Sequence, residues 1–262
     1  MRSTGDCSKN ISREHYVSRG LISRPGLKIR GLPWQTDLVQ HASADALTSK
    51  ILCLRHNNAL SPLDQEAQRA FLAIETAQSH ATKVSLARKR FSTILSGEAL
   101  ELWALKTIVG LQATGMHFPA GSLSLQDFPV PLDKIAEALN TGQAAGLVRL
   151  EIPQMAEAHE PSIGRSAVTT LMVVDEEAGR MTAVLIRLQG LGLMFHLADE
   201  KGAFDCAADV RPHAVDLIGP HRSSRLYFGW PNPAPGRIVS LRIRPPTPRE
   251  RRIPSANAGS SS

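Results

Sequence analysis

The chain has 262 residues, a formal net charge of +6 at pH 7 and 42% hydrophobic residues. This hydrophobic content is that of ordinary globular proteins, and the length suffices for one large core or two smaller ones, so wholesale disorder is not expected. No apolar run reaches the ~18 residues of a membrane span and no apolar signal core is present, so we expect a cytoplasmic protein without a membrane partner.

Positive charge is concentrated near the two ends of the sequence. Residues 1–30 hold seven lysines and arginines against two acidic residues, and residues 242–262 hold five more arginines. Charge of this kind favours an anionic partner and is placed where a nucleic-acid phosphate backbone would need it, although many basic proteins bind no nucleic acid.

The first 60 residues carry few helix signals and are predicted to be irregular. Ser61, Pro62 and Asp64 are typical of an N-cap, a first helical position and a capping box, which predicts an amphipathic helix from Ser61 onwards. Further helices are predicted over residues 96–115 and 131–140. Lys106, in the helix predicted over residues 96–115, is expected to lie on its solvated face.

Beyond residue 145 the sequence alternates between apolar and polar residues, as strands do. Strands are predicted within residues 146–153, 167–188 (two strands around a turn), 192–198 and 236–244. This layout predicts an α+β protein with a small N-terminal module, a helical middle and an antiparallel C-terminal sheet. We assign residues 1–65 to the module, 66–244 to an α+β domain and 245–262 to a disordered basic tail.

An acid–histidine pair near the start of the sequence carries the clearest catalytic chemistry. In ISREHYVSRG, Glu14 and His15 are adjacent, with Arg13 before them and Arg19 after. Phosphodiester hydrolysis needs a base that activates water and a cation that stabilises charge on the phosphate. A histidine can be that base, and a carboxylate supplies the oxygen ligand that Mg²⁺ prefers. A Glu-His dipeptide is also common in ordinary polar loops, and that interpretation stays open.

A second stretch, ILCLRHNN, carries metal-binding residue types. Cys53 and His56 have the spacing of a zinc knuckle, and Asn57 follows directly. A structural zinc site needs four ligands, and Cys7 has no zinc-binding residue at knuckle distance, so the site is incomplete as written. Either zinc has been lost or a Cys pair stands upstream of the given sequence. Alternatively, Cys53 is a core residue and His56 caps the next helix.

These two stretches resemble the ββα-metal HNH endonuclease module of the treble-clef proteins, over about residues 7–65. The family pattern is an acid–His pair on a first strand, then a second strand that leads into Cys-x-x-Cys and an Asn or His at the start of a helix. The resemblance implies that His15 is the general base and that Glu14 and Asn57 bind a catalytic Mg²⁺ or Mn²⁺.

The resemblance also assigns the flanking residues. Arg13 and Arg19 would contact DNA phosphates, Cys53 and His56 would take the second zinc-knuckle positions, and Cys7 would belong to the same Zn²⁺ site. The asparagine that orients the histidine in this family would fall at Thr48 or Ser49. That departure favours a competing hypothesis, a non-catalytic treble-clef protein that binds nucleic acid. A third hypothesis is an α+β interaction protein without enzymatic activity.

Overall fold

The computed structural model describes residues 7–8, 10–22, 28–29, 40–41, 47–83, 90–113, 125–144, 146–154, 168–175, 177–199, 202–204, 211–232 and 236–243. The tail predicted over residues 245–262 lies outside these ranges. Among the helices of the described ranges, none combines the length and the apolar character of a membrane span.

The described part of the chain mixes helices and strands up to residue 141, and its elements from residue 148 onwards are strands. The strands are β1 (Ile11–His15), β2 (Lys28–Ile29), β3 (Gln40–His41), β4 (Thr48–Cys53), β5 (Phe91–Ser96), β6 (Val148–Glu151), β7 (Val168–Asp175), β8 (Arg180–Leu188), β9 (Leu191–Leu197), β10 (Pro212–Ile218), β11 (Ser223–Gly229) and β12 (Arg237–Arg242). The helices are α1 (Arg19–Ile22), α2 (Leu54–Thr82), α3 (Gly97–Ala113) and α4 (Leu132–Thr141), with a 3-10 turn at Leu125–Asp127. The predicted α+β class is confirmed.

Most of the predicted elements beyond residue 90 are present. The helices predicted over residues 96–115 and 131–140 are α3 and α4, and the predicted strands are β6 to β9 and β12. The segment up to residue 60, predicted to be irregular, instead contains β1 and β4. Both strands are short and mix charged with apolar residues, so the alternation that marks a strand is weak in them.

The first long helix begins earlier than predicted. α2 starts at Leu54, directly after Cys53, so Pro62 lies inside the helix. Pro62 has no N–H to donate to the carbonyl of Asn58, one turn before it. The hydroxyl of Ser61 donates to that carbonyl instead, over 2.9 Å. A Ser-Pro pair that is typical of a helix start is thus accommodated within a helix.

The C-terminal strands belong to two four-stranded sheets. One is antiparallel throughout, in the order β6-β9-β8-β7, and the other is mixed, in the order β12-β10-β11-β5. In the mixed sheet, β12 runs parallel to β10 and β5 runs parallel to β11. The strands β5, β10 and β11 were not predicted, and β10 contains Asp216, a residue type disfavoured in strands. Arg225 lies directly opposite on β11 and binds that carboxylate through two hydrogen bonds of 2.6 Å.

Among the residues that the structure describes, one hydrophobic cluster connects helices and strands of both halves of the chain. It includes Tyr16 after β1, Phe71 of α2, Trp103 of α3 and Phe195 of β9. The predicted boundary between residues 65 and 66 falls inside α2, so the helix of the N-terminal module also packs against the rest of the protein. The division into domains stays a prediction.

Candidate functional site

The candidate site is built on a ββα arrangement. β1 and β4 pair antiparallel, and α2 begins at the residue that follows β4. Glu14 lies opposite Ser49 and His15 lies opposite Thr48 in this ladder. The backbone N–H of Leu54 donates to the carbonyl of Asn10 over 2.9 Å, which holds the start of α2 beside the start of β1. The two stretches selected from the sequence are therefore neighbours in space.

One cavity, of about 220 Å³, collects the predicted catalytic residues. Its lining residues are Arg13, Glu14, His15, Ser18, Arg19, Gly20, Asn57, Asp64, Gln65 and Gln68. All five residues predicted to act in catalysis or on DNA phosphates are among them. Asn57, Asp64 and Gln68 follow one another at helical spacing, so one face of α2 forms a wall of the cavity. The roles of these residues stay predictions.

A buried ion-pair network lies beside this cavity. The ammonium of Lys106, on α3, is 2.7 Å from Glu14 Oε1 and 2.5 Å from Asp64 Oδ2. The second oxygen of Asp64 accepts a 2.5 Å hydrogen bond from the hydroxyl of Ser18, which itself accepts a 2.8 Å bond from Trp103 Nε1. Burial raises the pKa of Glu14 above its ordinary value, and the hydrogen bond from Lys106 opposes that rise.

Sequence analysis missed the roles of Lys106 and Asp64. Lys106 was expected to be solvated, yet its side chain is only 6% exposed. The signal was present, because α3 is apolar on nearly all sides, as is typical of a helix buried on every face. Asp64 was expected in a capping box, but α2 begins ten residues before it, and its carboxylate binds Lys106 and Ser18 instead.

Three metal-binding side chains converge at the start of α2. Nδ1 of His56 lies 3.1 Å from the sulfur of Cys53 and 3.7 Å from the sulfur of Cys7. The three ligand atoms all lie within 4.8 Å of one another. Ligand atoms around a tetrahedral zinc ion are about 3.5 Å apart, so this cluster has a suitable size. The described residues supply three of the four ligands that a structural zinc site uses.

Hydrogen bonds to the sulfur of Cys53 favour its negatively charged form, which binds cations. The backbone N–H of His56 donates a hydrogen bond to it, and Ser8 adds further hydrogen bonds, so the pKa of the Cys53 thiol is lowered to about 6. Cys53 is therefore largely a thiolate at neutral pH, which is the form that binds metal. Cys7 is exposed and Cys53 is buried, so the cluster lies at the surface end of the ββα arrangement.

The comparisons with known proteins assign the chain to no family. No protein-family model matches the chain, and searches of curated proteins and of solved structures give no significant match. The functional conclusion therefore depends on the residues of the cavity and of the cysteine–histidine cluster.

Proposed function

We propose that the protein is an HNH-like, metal-dependent nuclease that hydrolyses phosphodiester bonds in DNA. One observation carries the proposal: a single cavity is lined by His15, Glu14 and Asn57 together with Arg13 and Arg19. A base, oxygen ligands for a cation and two positive side chains are the groups that hydrolysis of a phosphodiester requires.

The oxygen donors of the cavity fit Mg²⁺ or Mn²⁺. Glu14 and Asp64 supply carboxylates and Asn57 supplies an amide oxygen, and hard divalent ions prefer these ligands to nitrogen and sulfur. Glu14 and Asn57 would hold the ion. When bound, such an ion stabilises negative charge on the scissile phosphate.

The protein's own side chains supply the remaining chemistry. The imidazole of His15 accepts a proton from the attacking water, which makes that water nucleophilic. Arg13 and Arg19 are exposed beside it and bind phosphates on the DNA backbone, so they contribute affinity without selecting a sequence. A small cavity suffices because a phosphate group, rather than a whole base, enters it.

The proposal includes a structural Zn²⁺ bound by Cys7, Cys53 and His56. Their distances and the thiolate form of Cys53 support it. Such an ion would link the segment before β1 to the start of α2, and its binding energy would stabilise the fold of the module.

A second candidate function is nucleic-acid binding without catalysis. Thr48, rather than an asparagine, lies opposite His15, so no amide at that position orients the imidazole. The carboxylate of Glu14 also binds Lys106, which competes with a metal ion for the same oxygen. In this alternative the arginines and the zinc site bind DNA and the cavity has no hydrolytic role.

Plasmid nicking distinguishes the two functions. Supercoiled DNA incubated with the protein and Mn²⁺ or Mg²⁺ should be nicked, and His15→Ala should lower the rate at least ~100-fold because the base is lost. DNA affinity, measured by fluorescence anisotropy, should be retained. His221→Ala, which changes an exposed histidine in the turn between β10 and β11, is the matched control and should nick normally.

Two outcomes would reject the nuclease. Either no nicking occurs with any divalent ion, or His15→Ala nicks as fast as the native protein. DNA binding that weakens steeply with salt, in the absence of nicking, would support the binding function instead.

A further inference from the structure

Three elements bring one ammonium and two carboxylates together beside the cavity. Lys106 comes from α3, Glu14 from β1 and Asp64 from α2, and Lys106 Nζ contacts both acids at 2.7 and 2.5 Å. The side chains of Lys106 and Glu14 are 6% and 7% exposed, whereas that of Asp64 is 28% exposed. The ammonium of Lys106 therefore lies on the buried side of the two carboxylates, and Glu14 and Asp64 line the cavity.

The charges of this triad do not cancel. Two carboxylates carry −2 and one ammonium carries +1, so the group presents a net charge of −1 when all three side chains are ionised. A divalent cation in the cavity experiences that residual charge across a few ångströms. At such distances one unit of charge changes the affinity for a divalent ion at least ~10-fold, even with the dielectric constant of water.

The position of the Asp64 carboxylate does not depend on Lys106 alone. Ser18 donates to Asp64 Oδ1 and is itself fixed by Trp103 Nε1, a fully buried ring. Asp64 therefore keeps a hydrogen-bonding partner on its second oxygen when the lysine is changed. The negative pair would remain in place without its ammonium.

We propose that Lys106 is a positioning residue: its ammonium neutralises one charge of the Glu14–Asp64 pair and thereby limits the affinity of the cavity for divalent ions. This inference rests on the proposed function, because it concerns the metal ion of the same cavity. Without Lys106, the carboxylate pair would bind the ion more tightly and draw it toward the buried side of the cavity. With Lys106, the ion stays exchangeable and on the outer side, beside His15.

A charge series tests this inference with Mn²⁺ as the probe. The protein is first loaded with Zn²⁺, which occupies thiolate ligands in preference to Mn²⁺, and Mn²⁺ binding is then followed by electron paramagnetic resonance. Lys106→Met makes the net charge −2 and should tighten binding at least ~10-fold. Asp64→Asn makes it 0 and should weaken binding by a similar factor. The double variant K106M/D64N returns to −1 and should match the native protein.

Two controls separate this effect from a loss of structure. Lys50→Met removes an exposed lysine from β4 and should leave Mn²⁺ affinity unchanged. Lys106→Arg keeps the charge and should bind Mn²⁺ as the native protein does. If Lys106→Met does not fold, Asp64→Asn and the double variant still give the predicted order.

Failure of the inference is distinguishable from failure of the proposed function. If the native protein binds Mn²⁺ and nicks DNA while Lys106→Met binds Mn²⁺ equally or more weakly, Lys106 is only a structural contact and the inference is rejected. If the native protein does not nick but Lys106→Met gains Mn²⁺ affinity, the inference stands and the nuclease is rejected. If no member of the series binds Mn²⁺, both are rejected.

Discussion

The ββα arrangement and the antiparallel sheet are stabilised by different kinds of interaction. The first buries Glu14, Ser18 and Lys106 around a cavity and collects two cysteines and a histidine at its surface end. The second buries every residue of β8 from Met181 to Leu188, and most of them are aliphatic. Stability of the sheet depends mainly on apolar packing, whereas the ββα arrangement adds buried charge pairs, hydrogen bonds and the proposed metal site to its apolar contacts. Solution conditions should therefore change one region and leave the other intact.

The largest expected effect comes from the sheet. Phe195 is completely buried in β9, and Phe195→Ala should lower the free energy of unfolding by about 3–5 kcal/mol through lost burial and a residual cavity. Urea denaturation should give the same loss with and without a chelator. The exposed Ile94 of β5 is the matched control, because Ile94→Ala should change the free energy of unfolding by less than about 0.5 kcal/mol. A chelator-dependent loss for Phe195→Ala would mean that the two regions are not separable.

A somewhat smaller effect is expected from zinc and should be confined to the ββα arrangement. With free Zn²⁺ a hundredfold above its dissociation constant, binding should stabilise that region by about 2.7 kcal/mol. Hydrogen exchange should show this as protection of amides in β1, β4 and the first turns of α2, lost on chelation or in Cys53→Ser. Amides of β8 and β9 should be unaffected. Uniform protection across both regions would contradict the comparison.

The smallest effect concerns a charge at the junction of α3 and the sheet. Glu101 is fully buried, pairs with Arg211 at 2.7 Å and accepts a 2.8 Å hydrogen bond from the backbone of Leu150. Burial outweighs these contacts and raises the pKa of Glu101 to about 7. A carboxyl group with a raised pKa binds more protons in the folded state, so stability increases as pH falls through 7 and is lost as pH rises through it.

The corresponding measurement is a pH series of urea denaturation. Between pH 7.5 and pH 6, the native protein should gain about 1 kcal/mol of unfolding free energy from this group. Glu101→Gln should remove that increment, because the amide does not titrate. An identical pH dependence in both proteins would show that Glu101 does not titrate between pH 6 and pH 7.5 in the folded state.

Local patterns predicted some regular elements of the chain and missed others, among them β1, β4, β5 and β10. Periodicity and turn residues, which act within a few positions, predicted the helices α3 and α4 and the strands β6 to β9. The start of α2 was placed too late because Ser61 and Pro62 resemble a helix start, and only the hydrogen bond from Ser61 to Asn58 explains their position inside the helix. A side-chain hydrogen bond of this kind cannot be inferred from the residue pattern.

The parts of the candidate site were predicted from short motifs, whereas their meeting was expected only from the resemblance to the ββα-metal module and not from spacing. Short motifs selected Glu14-His15 and the Cys53-His56-Asn57 run, because few residue types perform this chemistry. Their meeting at one cavity depends on the pairing of β1 with β4, which is a tertiary contact between segments more than thirty residues apart. Lys106 enters from still further along the chain, so its partnership with Glu14 could not be obtained from spacing.

The length of α2 limits how the ββα arrangement could be transplanted or excised. A helix of 29 residues is about 44 Å long, and its first turn holds His56 while its last turns pack beside β11. A fragment that stops at residue 65 would end within α2 and would lack both Lys106 and Trp103. A ββα fragment taken from this protein would therefore have to include α3 as well, with the two helices kept together as one unit.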